Sequence, residues 1–162
     1  MNLLVLLAAG IVSMTAALER GDVDEAARQG ALAGPSVVEQ ALTSPRRSTR
    51  LAAIAAAPVT EDRAELLPAL ADVAAGPDRR TAIPAARAAR AIARELASHD
   101  LPDDLAPEDL AAWRARFETI ADNGDHFIEV RLLALDTADA LGGFDPAPLL
   151  SDPDPLIRAA AK

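Results

Sequence analysis

Few residues in this chain are suited to do chemistry. It has two histidines, His99 and His126, and neither cysteine nor tyrosine. Each histidine stands beside an aspartate, Asp100 and Asp125. Such a pair serves as a general base, or as part of a zinc site, only where several such groups converge. The two pairs fall on separate segments, so surface or helix-end histidines are expected. Without cysteine there is no thiolate nucleophile, disulfide framework or zinc–thiolate site. The stretch LASHDLPDDLAPEDL gathers carboxylates at Asp100, Asp103, Asp104, Glu108 and Asp109, the oxygen ligands that calcium takes. Their spacing is not D-x-[DN]-x-[DN]-G, and Pro102 and Pro107 interrupt it. Helix capping in a solvated loop is the expectation. No serine stands in a G-x-S-x-G context. Gly142-Gly143 reads as a helix stop and not as a phosphate loop. The chain is therefore expected to have no catalytic residue, no cofactor and no metal, and to be no enzyme.

The arginines are the remaining polar feature. Arg46, Arg47 and Arg50 form one cluster, and Arg79 and Arg80 another, at corresponding turns between helical segments. Arg46, Arg47, Arg79 and Arg80 are candidates for one basic edge that takes an acidic segment of a partner. The whole chain carries a net charge of −9 with a pI near 4.6. Phosphate binding needs a broad basic face, so nucleic acid and anionic membrane surfaces are not expected partners. Lys162 is the only lysine. Together with abundant Ala, Pro, Gly and Asp, this suggests GC-rich codon usage.

These groups must be positioned by helices. At 162 residues the chain is long enough for one domain with its own core. It is 51% apolar but only 2% aromatic, and 39 residues are alanine. Such a core is thin and suits helices packed closely on helices; alanine makes poor strands. Many prolines sit between apolar blocks, at Gly34-Pro35, Ser44-Pro45, Ala57-Pro58 and Gly76-Pro77, where they start or end helices. The pattern predicts helices over 22–32, 36–43 (with Ser36 as N-cap), 45–57 and 60–75. Further helices are expected over 107–121 and 125–141, with short ones over 148–150 and from Pro155 onward. The segment 78–98 contains Pro84, so it is either a turn followed by a helix or a kinked helix. On 107–121, Leu110, Trp113, Phe117 and Ile120 recur at spacings of three and four, which marks a core stripe. No run shows convincing period-two alternation.

Two stretches align without a gap: ALTSPRRSTRLAA (41–53) and LLSDPDPLIRAAA (149–161). In each, an apolar pair ends a helix, a proline turn follows, and Arg50 or Arg158 precedes Ala53 or Ala161 by three residues. A third copy has Arg131 and Ala134 behind a longer turn. A fourth, looser one lies at Arg87 or Arg90, in uncertain register. This pattern resembles the HEAT-repeat family, in its short bacterial form found in the PBS-lyase-like proteins. Asp152-Pro153 with Ile157, Arg158 and Ala161 carries the best match, and Val130-Arg131 with Ala134 the second. Thr49 departs from the family where an apolar residue is usual. The resemblance covers 36–161. It implies a right-handed α-solenoid of helical hairpins over 18–162, about four units long, in which the repeat arginine stitches one unit to the next. It also implies a non-catalytic scaffold or adaptor that binds a protein or peptide. The alternatives are a helper or lyase-type factor acting on another protein and, against the net charge, a DNA-repair glycosylase. The cut-short last unit raises self-association through the C-terminal repeat.

The first stretch reads as either of two things. Leu3 and its neighbours through Val12 form an apolar run like the core of a signal peptide, with small residues at 15–17 for cleavage after Ala17. No Lys or Arg precedes it, and it is short for a membrane span. Residues 1–17 are thus read as a signal peptide, which implies a periplasmic or secreted protein with no stable anchor after processing. As the first helix of the domain, they imply a cytoplasmic one.

Overall fold

The computed structural model describes residues 3–98 and 105–162, and every regular element among them is helical. The helices are α1 (Leu3–Glu19), α2 (Val23–Ala33), α3 (Pro35–Leu42), α4 (Arg47–Ala56), α5 (Leu67–Ala74), α6 (Arg79–Ser98), α7 (Pro107–Asp122), α8 (Ile128–Ala140) and α9 (Pro155–Ala160). Short 3₁₀ turns occupy Ala57–Val59, Arg63–Leu66 and Ala147–Ser151. The all-α expectation holds. His99, Asp100, Asp103 and Asp104 lie outside the described residues.

Local chemistry explains most boundaries. The Asp22 carboxylate accepts the Glu25 N–H at 2.9 Å and so caps α2. Two expectations need correction. Ser36 caps nothing, because α3 already begins at Pro35, directly after Gly34. Gly34 adopts φ 89°, which lets one residue end α2 and begin α3. The helix expected over 60–75 is broken at its start: Asp62 is left-handed at φ 50°, and α5 begins only at Leu67. Of the two readings of the segment holding Pro84, the one with Pro84 inside a helix holds. Pro84 lies in its second turn, where it withholds one N–H from the Arg80 carbonyl without ending the helix.

Chain neighbours pack as pairs, α1 on α2, α3 on α4, α5 on α6 and α7 on α8, and the last 3₁₀ turn packs on α9. Contacts also run through the series α2, α4, α6, α8 and α9, and through α1, α3, α5 and α7. Alanine dominates the core. Ala26, Ala41, Ala52, Ala53, Ala56 and Ala82 are fully buried. Trp113 and Phe117 are buried in it, as their spacing predicts. α1 belongs to the same core through Met14 and Ala17. At the other end Leu150 and Leu156 stay exposed.

Helices approach closely at Gly30, where α1, α2 and α4 meet. A Cβ on Gly30 would collide with the Cβ of Ala56 and stand 3.0 Å from the Met14 sulfur. Alanine is intrinsically the better helix former by about 1 kcal/mol. Overpacking costs about 1–3 kcal/mol, and a Cβ has no rotamer by which to move away. The clash therefore wins. Gly30→Ala should lower stability by roughly 1–2 kcal/mol in urea unfolding followed by circular dichroism. Adding Ala56→Gly should recover part of the loss, because it removes the colliding atom; no recovery would place the cost elsewhere.

Candidate functional site

The two aligned stretches make the same bonds. The Arg50 guanidinium Nη1 donates to the carbonyls of Ser44 at 2.7 Å and Pro45 at 3.1 Å. Arg158 Nη1 donates to the aligned carbonyls of Asp152 at 2.6 Å and Pro153 at 2.9 Å. Each arginine is the fourth residue of its helix, α4 or α9, and folds back over the turn that leads into it. Turn carbonyls at a helix start have no intrahelical partner, and the arginine supplies one. The conserved geometry here is within one molecule: the clamp holds the turn against its own helix.

Arg131, the fourth residue of α8, does something different. Its Nε donates to the Ala121 carbonyl at the end of α7, at 2.8 Å. Its two terminal nitrogens fork onto the Asp152 carboxylate, Nη1 reaching Oδ1 at 3.4 Å and Nη2 bonding Oδ2. Both side chains are only 5% exposed. Asp152 Oδ1 also accepts the Asp154 N–H at 2.8 Å, and Asp154 in turn caps α9 through the Leu156 N–H. One arginine thus ties α7, α8 and the turn before α9 together. Arg50 makes a looser version of the same link, 3.7 Å to Asp78 in the turn before α6. Asp78, like Asp152, accepts the N–H two residues on.

The fourth residue of α6 is Ala82, fully buried. Farther along α6, Arg87 is exposed and Arg90 pairs with Asp136 on α8 at 3.2 Å. Ala53, Ala134 and Ala161 are all buried, as their place behind the arginine predicts.

Of the four edge arginines, Arg46 and Arg47 stand at the start of α4 and Arg79 and Arg80 at the start of α6, all exposed. Arg79 is paired with Glu129. The Glu129 carboxyl is held below its ordinary range by its own backbone N–H and then by Arg79. Arg46, Arg47 and Arg80 have no ion pair among the described residues. Arg20 and Arg87 share that state; every other arginine is bonded. A groove of about 660 Å³ opens beside the edge, where Glu39, Asp72 and Asp78 outnumber Arg50 and Arg116, so it offers no spare positive charge. Arg87 escaped the sequence reading as a surface group because it was weighed only as a repeat arginine. The readable signal was the helix pair itself: α4 and α6 together contain seven arginines and a single acid, Glu95.

His126 lies in the turn before α8, 3.4 Å from the Asn123 amide. Among the described residues no three His, Cys, Asp or Glu side chains converge on a metal position. Also among them, no helix is long and apolar enough to cross a membrane. Compared with protein-family models, curated proteins and solved structures, the chain matches none.

The Arg131–Asp152 pair sets a pH dependence. Hydrogen bonds from Arg131 hold the Asp152 carboxyl below the usual aspartate range; burial opposes this and the Asp154 N–H assists. A folded-state pKa below the unfolded one contributes stability above about pH 4, lost as pH falls through the folded value. Asp152→Ala, which leaves Arg131 buried and unpaired, should cost about 3–5 kcal/mol at neutral pH. The gap between native and variant urea midpoints should shrink as pH drops below about 4. A gap that stays constant with pH would show that the carboxylate charge is not what stabilises this junction.

Proposed function

We propose that the chain is a non-catalytic binding scaffold: a short HEAT-like α-solenoid whose edge at the starts of α4 and α6 holds an acidic segment of another protein. The observation that carries this reading is the division among the arginines. Arg50 and Arg79 are tied down, while Arg46, Arg47 and Arg80 beside them are exposed and have no ion pair among the described residues. In a chain of net charge −9, with carboxylates to spare, unmatched guanidiniums in one place are available for a partner's carboxylates.

The solenoid reading is supported by the paired chain neighbours and by the two series of contacts between alternate helices. It is supported further by Arg50 and Arg131, each reaching the aspartate of the following turn. An array of this kind buries each unit on its neighbour and leaves an extended outer surface for binding. Fold alone does not assign function; the unpaired edge does that work here. Nucleic acid is disfavoured as the partner, because the negative net charge opposes approach of a polyphosphate.

The compartment depends on residues 1–17. Full burial of Met14 and Ala17 supports α1 as a lasting part of the domain. N-terminal sequencing of the protein from its native cells should then find no chain beginning at Leu18. A chain that does begin there would show export and cleavage.

The scaffold reading is tested by a photo-crosslinker placed at position 47 or 80 in native cells, with the same group at exposed Ala115 on α7 as comparison. A stoichiometric protein adduct should form from 47 and 80, should be absent from 115, and should vanish when Arg46 is changed to Glu. Equal labelling from all three positions, or none from 47 and 80, overturns the reading.

A further inference from the structure

A second groove, of about 530 Å³, runs between α4 and α6. Leu51, Ile54 and Pro58 form one wall, and Pro84, Ala88 and Ala91 the other. Apart from Arg87 the lining is apolar. Arg87 is exposed and has no ion pair among the described residues. Arg47 precedes Leu51 by one helical turn, and Arg80 precedes Pro84 by one turn. Both therefore stand on the groove faces of their helices, at its head. Arg80 and Arg87 are two turns apart on α6, roughly 10 Å along the axis.

The charge of this helix pair opposes that of the rest of the molecule. Of the seven arginines on α4 and α6, Arg50, Arg79, Arg90 and Arg94 are neutralised by Asp78, Glu129 and Asp136. Of the three that remain, Arg87 lines the groove, and Arg47 and Arg80 each stand one turn before a residue that lines it. Groove and charge together describe the missing ligand: aliphatic surface for the floor, and more than one carboxylate for the cations. A fatty acid fits poorly. It has one carboxylate, and its tail needs an enclosed cavity, whereas this groove is open to solvent.

We propose that this groove binds an amphipathic segment of an acidic partner protein. Leucine- or isoleucine-sized side chains lie against Leu51, Ile54 and Pro84, and carboxylates roughly 10 Å apart pair with Arg80 and Arg87. The proposal rests on the scaffold reading and names the chemistry of the partner. Charge steers the approach and the apolar floor holds the bound segment, so affinity falls with salt but is not abolished by it.

The test uses a displayed library of random sixteen-residue peptides selected on the full-length protein. The enriched sequences should carry Leu or Ile flanked by Asp or Glu. The best of them, fluorescently labelled, is then titrated against Arg80→Glu, Arg87→Glu and Ala91→Trp. All three positions are exposed, and circular dichroism checks that each variant folds. Each should weaken binding by about tenfold or more, which corresponds to about 1.4 kcal/mol. Arg28→Glu, the same charge change on α2, should leave binding within about twofold, far below that same threshold. Enrichment of basic sequences, or of none, overturns the proposal. So does tighter binding of dodecanoate than of any selected peptide, or a peptide indifferent to the three groove variants. If the groove variants have no effect while crosslinking from 47 and 80 still depends on Arg46, the groove assignment falls and the scaffold reading stands. If both fail, both fall.

Discussion

Small side chains at the helix contacts are what the rest of this structure depends on. Gly30 on α2 meets Ala56 on α4 with no room for a methyl group. Buried alanines line much of the remaining contact surface, between larger enclosed side chains such as Phe117, Met14, Leu67, Leu70 and Ile92. Close helix axes follow from this, and so does a modest apolar area buried per contact. Such a core leaves a share of the specificity to polar bonds at the helix ends.

Arginine supplies those bonds in three ways. Arg50 and Arg158 fold back on their own turns and satisfy carbonyls that the helix cannot reach. Arg131 ties α7 and α8 to the turn before α9 and is buried among its partners. Its planar fork suits a carboxylate on one side and a carbonyl on the other, which lysine would not reproduce. On α6 the fourth residue is Ala82, so that helix start has no arginine clamp, and the arginines of the helix lie elsewhere. Several of them pair across to α8. Arg47, Arg80 and Arg87 have no such assignment, and their position beside an apolar groove makes this the most distinctive surface of the molecule.

The sequence reading went far with the elements and less far with their joints. Helix content, the core stripe of Trp113 and Phe117, and the equivalence of 41–53 with 149–161 were all legible, since each rests on spacing along the chain. The break at Asp62 was not, because the residues around it favour helix and only the backbone reveals the left-handed turn. Ser36 misled because a capping residue beside a proline reads as a cap, whereas Gly34 and Pro35 had already begun the helix. A fourth copy had no fixed register in the sequence, because R-x-x-A recurs along α6 in alanine-rich sequence. Position counted from the helix start, which identifies Ala82, requires knowing where the helix starts.

By itself the sequence determined an all-helical, alanine-cored, acidic chain with arginines at recurring turns. Those properties follow from composition and short-range spacing, where helix propensity, proline placement and charge act locally. Tertiary structure decided which arginines are occupied. Arg131 and Asp152, or Arg79 and Glu129, are distant in the chain, and nothing in local pattern distinguishes them from Arg47 and Arg80. Pairing is a matter of distances of a few ångströms across helix contacts, and those distances exist only once the alanine faces have closed.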